Sequence, residues 1–212
     1  FLCNPNNPTS TTSSKAEIQK IVDEACRRDV MVLLDECFMD FVDDGQNLSL
    51  ARISRNYRNL LVLRSLTKSY GLAGLRVGYA VGHEETIELM NNSKTTWSVN
   101  ILAQAASVAA LGDRNHLHRS RKLVKRERAF LEESLREMGL RVAPPKANFL
   151  LAEIPAQPGA PELRDRLLRH RVMIRECSAF KGLGERFIRL AVKTRPENSI
   201  LLGALRKELR SA

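Results

Sequence analysis

The sequence has no apolar run approaching the roughly 20 residues that a membrane-spanning helix needs. It also lacks the charged-then-apolar opening of a secretory leader. Its four cysteines, Cys3, Cys26, Cys37 and Cys177, lie scattered, with no CxxC pair and no histidine at metal-ligand spacing. That argues against a disulfide framework or a metal centre and leaves the thiols as small apolar side chains of a reducing compartment. His83, His116, His118 and His170 form no triad and no ligand set, and are read as structural. Internal repeats and low-complexity tracts are missing as well. These absences point to a cytoplasmic globular chain with no metal and no membrane partner. The chain opens on Phe1 rather than Met, and Phe1-Leu2-Cys3 looks like the end of a buried strand, so a preceding segment is expected.

What is present is the balance of a globular protein: 212 residues, 43% hydrophobic and 27% charged. The net charge of +10 raises the question of nucleic acid. Much of it falls within residues 114 to 141, where Arg119, Arg121, Lys122, Lys125, Arg126 and Arg128 crowd together. In the same segment Leu123, Phe130, Leu131 and Leu135 recur at helical spacing, with Glu127, Glu132, Glu133 and Glu137 between them. The pattern predicts a long helix with a solvated face, not a phosphate-binding stripe, because no aromatic or motif support accompanies the charge.

The order of elements is that of an α/β chain. Ser14, with Glu17 three residues on, has the spacing of a capping box, followed by the apolar face Ile18, Ile21, Val22, Ala25. Residues 30 to 34 form a continuous apolar run that ends in Asp35-Glu36, as expected of a strand buried on both faces of a parallel sheet. Residues 60 to 63 make a second such run and residues 76 to 81 a third. A doubly wound, mostly parallel sheet follows from them, and in such sheets functional groups gather at the carboxyl ends of the strands. Asp35, Ser65 and Lys68 sit there. From about Ile101 some forty residues read as helical. A smaller α+β unit comes next, with strands at 148–152, 172–174 and 187–192 and helices at 161–170 and 196–209. The expected domains are residues 1–110 and 111–212.

The most informative stretch is Arg64-Ser65-Leu66-Thr67-Lys68-Ser69-Tyr70-Gly71-Leu72-Ala73-Gly74-Leu75-Arg76-Val77-Gly78-Tyr79. Alone, Lys68 would be a solvent lysine on a glycine-rich loop. With Ser65, Gly74, Arg76 and Gly78 at these spacings, the stretch resembles the cofactor-lysine segment of class I and II pyridoxal-phosphate aminotransferases, Ser-x-x-Lys followed by Gly-x-Arg-x-Gly. The resemblance implies fold type I, a partial large domain plus a C-terminal small domain, and pyridoxal 5'-phosphate as cofactor. It makes Lys68 the Schiff-base lysine and gives Ser65 and Arg76 the cofactor phosphate, the arginine through a charge-assisted fork. Lysine suits the first role because its amine is nucleophilic once deprotonated. Asn4-Pro5-Asn6-Asn7-Pro8-Thr9 resembles the family's Asn-Pro-Thr-Gly turn, which implies that Asn7 bonds the cofactor's phenolic oxygen; Ser10 stands where the family has glycine. Asp35 matches the carboxylate that pairs with the pyridinium nitrogen. Phe187-Ile188-Arg189-Leu190-Ala191-Val192 resembles the strand whose arginine grips the substrate carboxylate, and alternation sets Arg189 opposite Ile188 and Leu190. Arg175 is a second substrate-binding candidate and Lys193 a third; Asn148 falls in a family motif with no role assigned.

Within the family the resemblance is closest to the histidinol-phosphate aminotransferases and the threonine-phosphate decarboxylases of cobalamin biosynthesis. Phe38, where the aminotransferases place a tyrosine, together with Arg64-Ser65-Leu66-Thr67-Lys68, Trp97-Ser98-Val99-Asn100 and Ile174-Arg175-x-Cys177, points to the decarboxylases. That reading implies loss of CO2 from threonine phosphate to give aminopropanol phosphate, with the aminotransferase as alternative and a sensor domain of a transcription regulator as a third reading. The intact protein is expected to be a homodimer acting on a small amino-acid phosphate. The 212-residue chain alone is expected to bind the cofactor weakly and to be inactive, since the resemblance places further cofactor contacts in the preceding segment. Spectroscopic titration with pyridoxal phosphate checks this; tight stoichiometric uptake by the chain would refute it.

Overall fold

The computed structural model describes residues 1–210. The chain divides into two compact units, one made of residues 1–6 and 12–121, the other of residues 7–11 and 122–212. The division falls inside a helix, between Arg121 and Lys122.

In the first unit, β1 (Leu2–Cys3), β2 (Val32–Asp35) and β3 (Leu60–Ser65) run parallel in chain order, and β4 (Gly78–Gly82) is antiparallel to β3. The mostly parallel α/β sheet is as expected. Between β1 and β2 lies α1 (Lys15–Arg27), opened by the capping box: the Glu17 carboxylate accepts the Ser14 N–H at 2.8 Å, and the Ser14 hydroxyl oxygen accepts the Glu17 N–H at 3.3 Å. Its buried residues Ile18 and Val22 pack with Val32, Leu34, Leu60 and Val62, so the apolar runs become a core shared by one helix and two strands. The short α2 (Gly45–Leu48) lies between β2 and β3; α3 (Glu84–Ser93) and α4 (Ile101–Gly112) follow β4.

The third strand differs from expectation in start and direction. It begins at Gly78, because Arg76 takes a left-handed conformation (φ 51°) that breaks the extended run. It runs antiparallel because only residues 66–77 join it to β3, with a 3₁₀ turn at Ala73–Leu75 in place of the crossover helix a parallel return uses. Its first residue must be small. A Cβ on Gly78 would lie 2.5 Å from the Arg64 carbonyl oxygen.

The second unit holds an antiparallel sheet of β5 (Arg141–Val142), β6 (Phe149–Glu153), β7 (Arg175–Glu176) and β8 (Phe187–Ala191), ordered β5-β6-β8-β7. Leu150, Ile188 and Leu190 from it pack with Leu135 of α5 (Arg114–Glu137), Leu163 of α6 (Ala160–Leu168) and Leu202 of α7 (Arg195–Arg210). The strand expected at 172–174 is not formed. Val172 instead donates its N–H to the Leu167 carbonyl at 3.1 Å, closing α6 after the left-handed Arg171, and pairing with β8 begins at Arg175. β5 and α3 carry no periodic signal long enough to read from the sequence.

Helix formation from Ile101 is interrupted at Asp113, giving α4 and α5. No helix among the described residues is long and apolar enough to cross a membrane. The face of α5 is less solvated than its charges suggest. Arg128 is buried with its guanidinium donating to the Lys146 carbonyl at 2.7 Å, and Glu127 is fully buried, whereas Leu123 is exposed. Burial works to raise the Glu127 pKa, but hydrogen bonds from Arg195, Arg126 and Asn198 outweigh it and hold the carboxyl below its ordinary 4.5. A depressed folded pKa contributes stability that is complete above the unfolded value and is lost as pH falls through the folded one. Replacing Glu127 with Gln should therefore destabilise the protein at neutral pH and flatten the acid limb of its stability profile. Urea unfolding followed from about pH 7 down to about pH 3 checks both.

Candidate active site

The predicted site residues fall into two sets, one in each unit. In the first unit Asp35 is the last residue of β2 and Ser65 the last of β3, and Lys68 follows three residues on. One Asp35 carboxylate oxygen accepts the Cys37 N–H at 2.9 Å, and the Asp35 carbonyl accepts the Asn4 N–H at 2.9 Å. The buried Asn4 side chain in turn exchanges two hydrogen bonds with the Ser13 backbone. The Lys68 Nζ has no hydrogen bond or ion pair among the described residues; it stands 6.0 Å from the centroid of the Phe38 ring.

Cys37 links these groups. Burial, then a hydrogen bond to Asp35 and that residue's charge, push its thiol up to about 12, and the Lys68 ammonium pulls it down. Phe38, next after Cys37 on the same loop, has its ring 6.0 Å from the Lys68 Nζ, so Lys68 stands against the loop that Asp35 opens. Sequence reasoning missed Cys37, although its position two residues beyond a strand-end aspartate was a usable signal. Ser65 Oγ lies 2.7 Å from Thr67 Oγ1 and accepts the Thr67 N–H at 3.2 Å. The exposed Arg76 makes its only hydrogen bond among the described residues to the Ala73 carbonyl, at 3.1 Å, and no contact joins it to Ser65. This set offers an unattached amine, a carboxylate acceptor, and hydroxyl and guanidinium donors.

In the second unit the Arg189 guanidinium donates to the Asn7 side-chain oxygen. The two residues are 182 positions apart in sequence, and both are sequence-predicted site residues. Arg189 stands on β8 directly opposite Arg175 of β7, so the two guanidinium groups leave the same face of the sheet. Arg189 lies over the Phe149 ring at 5.2 Å and Arg175 over Phe180 at 5.8 Å, and neither has an ion pair among the described residues. Burial first, then the Arg175 charge, lower the Arg189 pKa, while Cys177 works the other way. Like charges directly opposite destabilise a sheet, so this arrangement is one that an anion would relieve. Ile188 and Leu190 point into the core, as the alternation requires.

The turn that presents Asn7 has its own support. The Asn4–Pro5 and Asn7–Pro8 peptides are cis, and Ser10 is left-handed (φ 63°). Ser10 is fully buried, and its hydroxyl accepts the Ala147 N–H at 2.8 Å and the Lys146 N–H at 3.1 Å.

Comparison with known proteins fixes the family. The family model for aminotransferase class I and II matches residues 1–205. The chain belongs to the class I and II aminotransferases. That family consists of pyridoxal-phosphate enzymes of fold type I. The chain is 39% identical to a histidinol-phosphate aminotransferase of Anaeromyxobacter sp. over 205 residues, 97% of this chain and 55% of the relative. It is 34% identical to a candidate threonine-phosphate decarboxylase of Caldanaerobacter subterraneus, over 97% of this chain and 56% of that one. The crystal structure of the histidinol-phosphate aminotransferase from Clostridium acetobutylicum superposes with a TM-score of 0.93 at 29% identity, covering 100% of this chain and 64% of that one. The chain thus spans little more than half the length of the curated relatives it matches.

Within this family the left-handed turn position bears on stability. Replacing Ser10 with Ala keeps the unfavourable φ and removes a buried acceptor, which should cost about 1–3 kcal/mol. Replacing it with Gly loses the same acceptor but suits the φ, so this variant should be about 1 kcal/mol more stable than the alanine one. Chemical denaturation of the two variants checks the order.

Proposed function

We propose that the full-length protein is a pyridoxal-phosphate-dependent aminotransferase of the histidinol-phosphate type. The observation that carries the reading is the Lys68 amine, without a hydrogen bond or ion pair among the described residues, 6.0 Å from the ring of Phe38 on the loop that follows Asp35. The donor set suits the cofactor: an amine for its aldehyde, a carboxylate for its pyridinium nitrogen, and Ser65 and Arg76 for its phosphate. When bound, the cofactor supplies an electron sink for charge developing at the substrate's Cα. Residues 1–110 and 111–212 are then read as the cofactor-binding domain and the small domain.

Each residue has a chemical task in this reading. Lys68 holds the cofactor, and its freed amine moves the proton at the substrate's Cα. Asp35 keeps a proton on the ring nitrogen. Asn7 already uses its side-chain oxygen toward Arg189, so its amide N–H remains to donate to the cofactor's phenolic oxygen. Histidinol phosphate has no carboxylate; its negative charge is a phosphate, and two unpaired arginines on one sheet face suit such a dianion. A homodimer of the full-length chain is part of the proposal.

The local motifs named above point to decarboxylation of threonine phosphate, whereas identity over nearly the whole chain favours amino-group transfer: 39% and 36% to two histidinol-phosphate aminotransferases against 34% to the candidate decarboxylase. The decarboxylase is kept as the second reading because Phe38, which has no hydroxyl, faces the Lys68 amine.

The full-length protein with histidinol phosphate and 2-oxoglutarate should produce glutamate. With threonine phosphate it should release little CO2; abundant CO2 without glutamate would reverse the choice between the readings. Lys68→Ala should lower either activity at least about a thousandfold.

A further inference from the structure

A chain of four polar side chains, two buried and two part-buried, is not used by the proposed chemistry. Glu36, next after Asp35, is almost fully buried and accepts the Leu50 N–H at 2.9 Å and the Ser49 hydroxyl. Its Oε2 also pairs with Arg64 Nη1 at 3.0 Å. The other end of the same guanidinium pairs with one oxygen of Asp40, and the second Asp40 oxygen accepts the Ser69 hydroxyl at 2.7 Å. Ser69 is buried and directly follows Lys68. Four side chains therefore join the residue after Asp35 to the residue after Lys68.

The turn that carries Lys68 is tied to β4 by the Leu66 N–H to Val77 carbonyl bond at 3.3 Å, and Leu66 is buried with Val77 and Ala103, with Tyr70, Leu72 and Leu75 packed against them; none of these partners lies in the loop after β2. Gly71 donates its N–H to the Lys68 carbonyl at 3.2 Å and Leu72 to the Leu66 carbonyl at 3.2 Å, while the Thr67 and Ser65 side chains bond only each other's neighbourhood. Lys68 itself contributes no polar contact among the described residues. The Ser69–Asp40 bond is thus the side-chain link that joins this turn to the loop after β2.

We propose that Asp40, acting through the Ser69 hydroxyl, is a positioning residue that fixes where the Lys68 amine stands relative to the carboxyl end of β2. Arg64 sets the direction of the Asp40 carboxylate by occupying its other oxygen, so the Ser69 hydroxyl meets a fixed acceptor. The inference rests on Lys68 as the cofactor lysine. Misplacing a reacting group by about 1 Å can cost on the order of a hundredfold in rate, so a bond one residue away has leverage.

The test uses the full-length, cofactor-loaded protein and its variants Ser69→Ala, Ser69→Thr, Asp40→Asn and Lys68→Ala. Ser69→Ala should lower kcat about tenfold or more with KM changed less than about twofold, and should alter the visible circular dichroism of the bound cofactor. Ser69→Thr, which keeps the hydroxyl, should restore both. In the cofactor-free protein, the rate at which an acylating reagent labels Lys68, followed by peptide mass, should change in Ser69→Ala and return in Ser69→Thr. A network that only stabilised the fold would lower the melting temperature of Ser69→Ala and leave kcat per loaded site, dichroism and labelling as in the parent; that result overturns the proposal. Should Asp40→Asn fail to fold, the two Ser69 variants decide. Retention of the bound-cofactor absorbance by Lys68→Ala would overturn the underlying reading and the proposal with it. Its loss, combined with an unchanged Ser69→Ala, would overturn the positioning role alone.

Discussion

The first unit depends on one buried cation. Arg64 lies on β3 with little solvent contact, and burial alone would disfavour its charge. The carboxylates of Asp40 and Glu36 more than offset that, and its pKa is raised. Removing either carboxylate would leave the guanidinium with a single counter-charge in a poorly solvated place. What it secures is alignment. β2 and β3 are already in parallel register from Val32 opposite Leu60 to Asp35 opposite Leu63. The β2–β3 ladder ends there: β2 leaves the sheet after Asp35, whereas β3 runs on to Ser65 against β4. Beyond the Glu36 N–H to Leu63 carbonyl bond, the Arg64 side chain ties β3 to the loop after β2 through Glu36 and Asp40.

Around that frame the site combines groups whose chemistry is set by their neighbours. A thiol raised to about 12 stays protonated at neutral pH, so Cys37 is an inert donor beside Asp35 and not a competing nucleophile for an aldehyde. Phe38 gives Lys68 an aromatic face where a tyrosine would have given a hydroxyl. The second unit shows the opposite policy toward charge. Arg175 and Arg189 stand opposite each other with no ion pair among the described residues, supported by Phe180 and Phe149. A sheet selected for stability alone would pair one of them with an acid, as Glu153 is paired with Arg141 and Arg186 in the same sheet.

Much of this was legible locally. The capping box at Ser14 and Glu17, the apolar run of β3 and the alternation in β8 are short-range patterns that formed where they were read, whereas the run at 30–34 enters the sheet only from Val32 and leaves Val30 and Met31 exposed. The misread charges on α5 have a long-range cause. Glu127 and Arg128 read as solvated because charge on a helix usually is, yet their partners come from α7 and from residues 146 and 147. Ser10 occupies a left-handed position without being glycine because the backbone at residues 146 and 147 meets its hydroxyl, more than 130 positions away. Long-range hydrogen bonds overrode local propensity in these cases.

By itself the sequence determined the class of fold, the carboxyl end of β2 and the spacing of Asp35, Ser65, Lys68 and Arg76, because side-chain periodicity and turn chemistry act over a few residues. Only the tertiary structure decided which of the charged residues are buried, that β4 returns antiparallel, and that Asn7 meets Arg189. Those outcomes depend on what desolvation costs and which distant donor offsets it, and a linear pattern contains neither quantity.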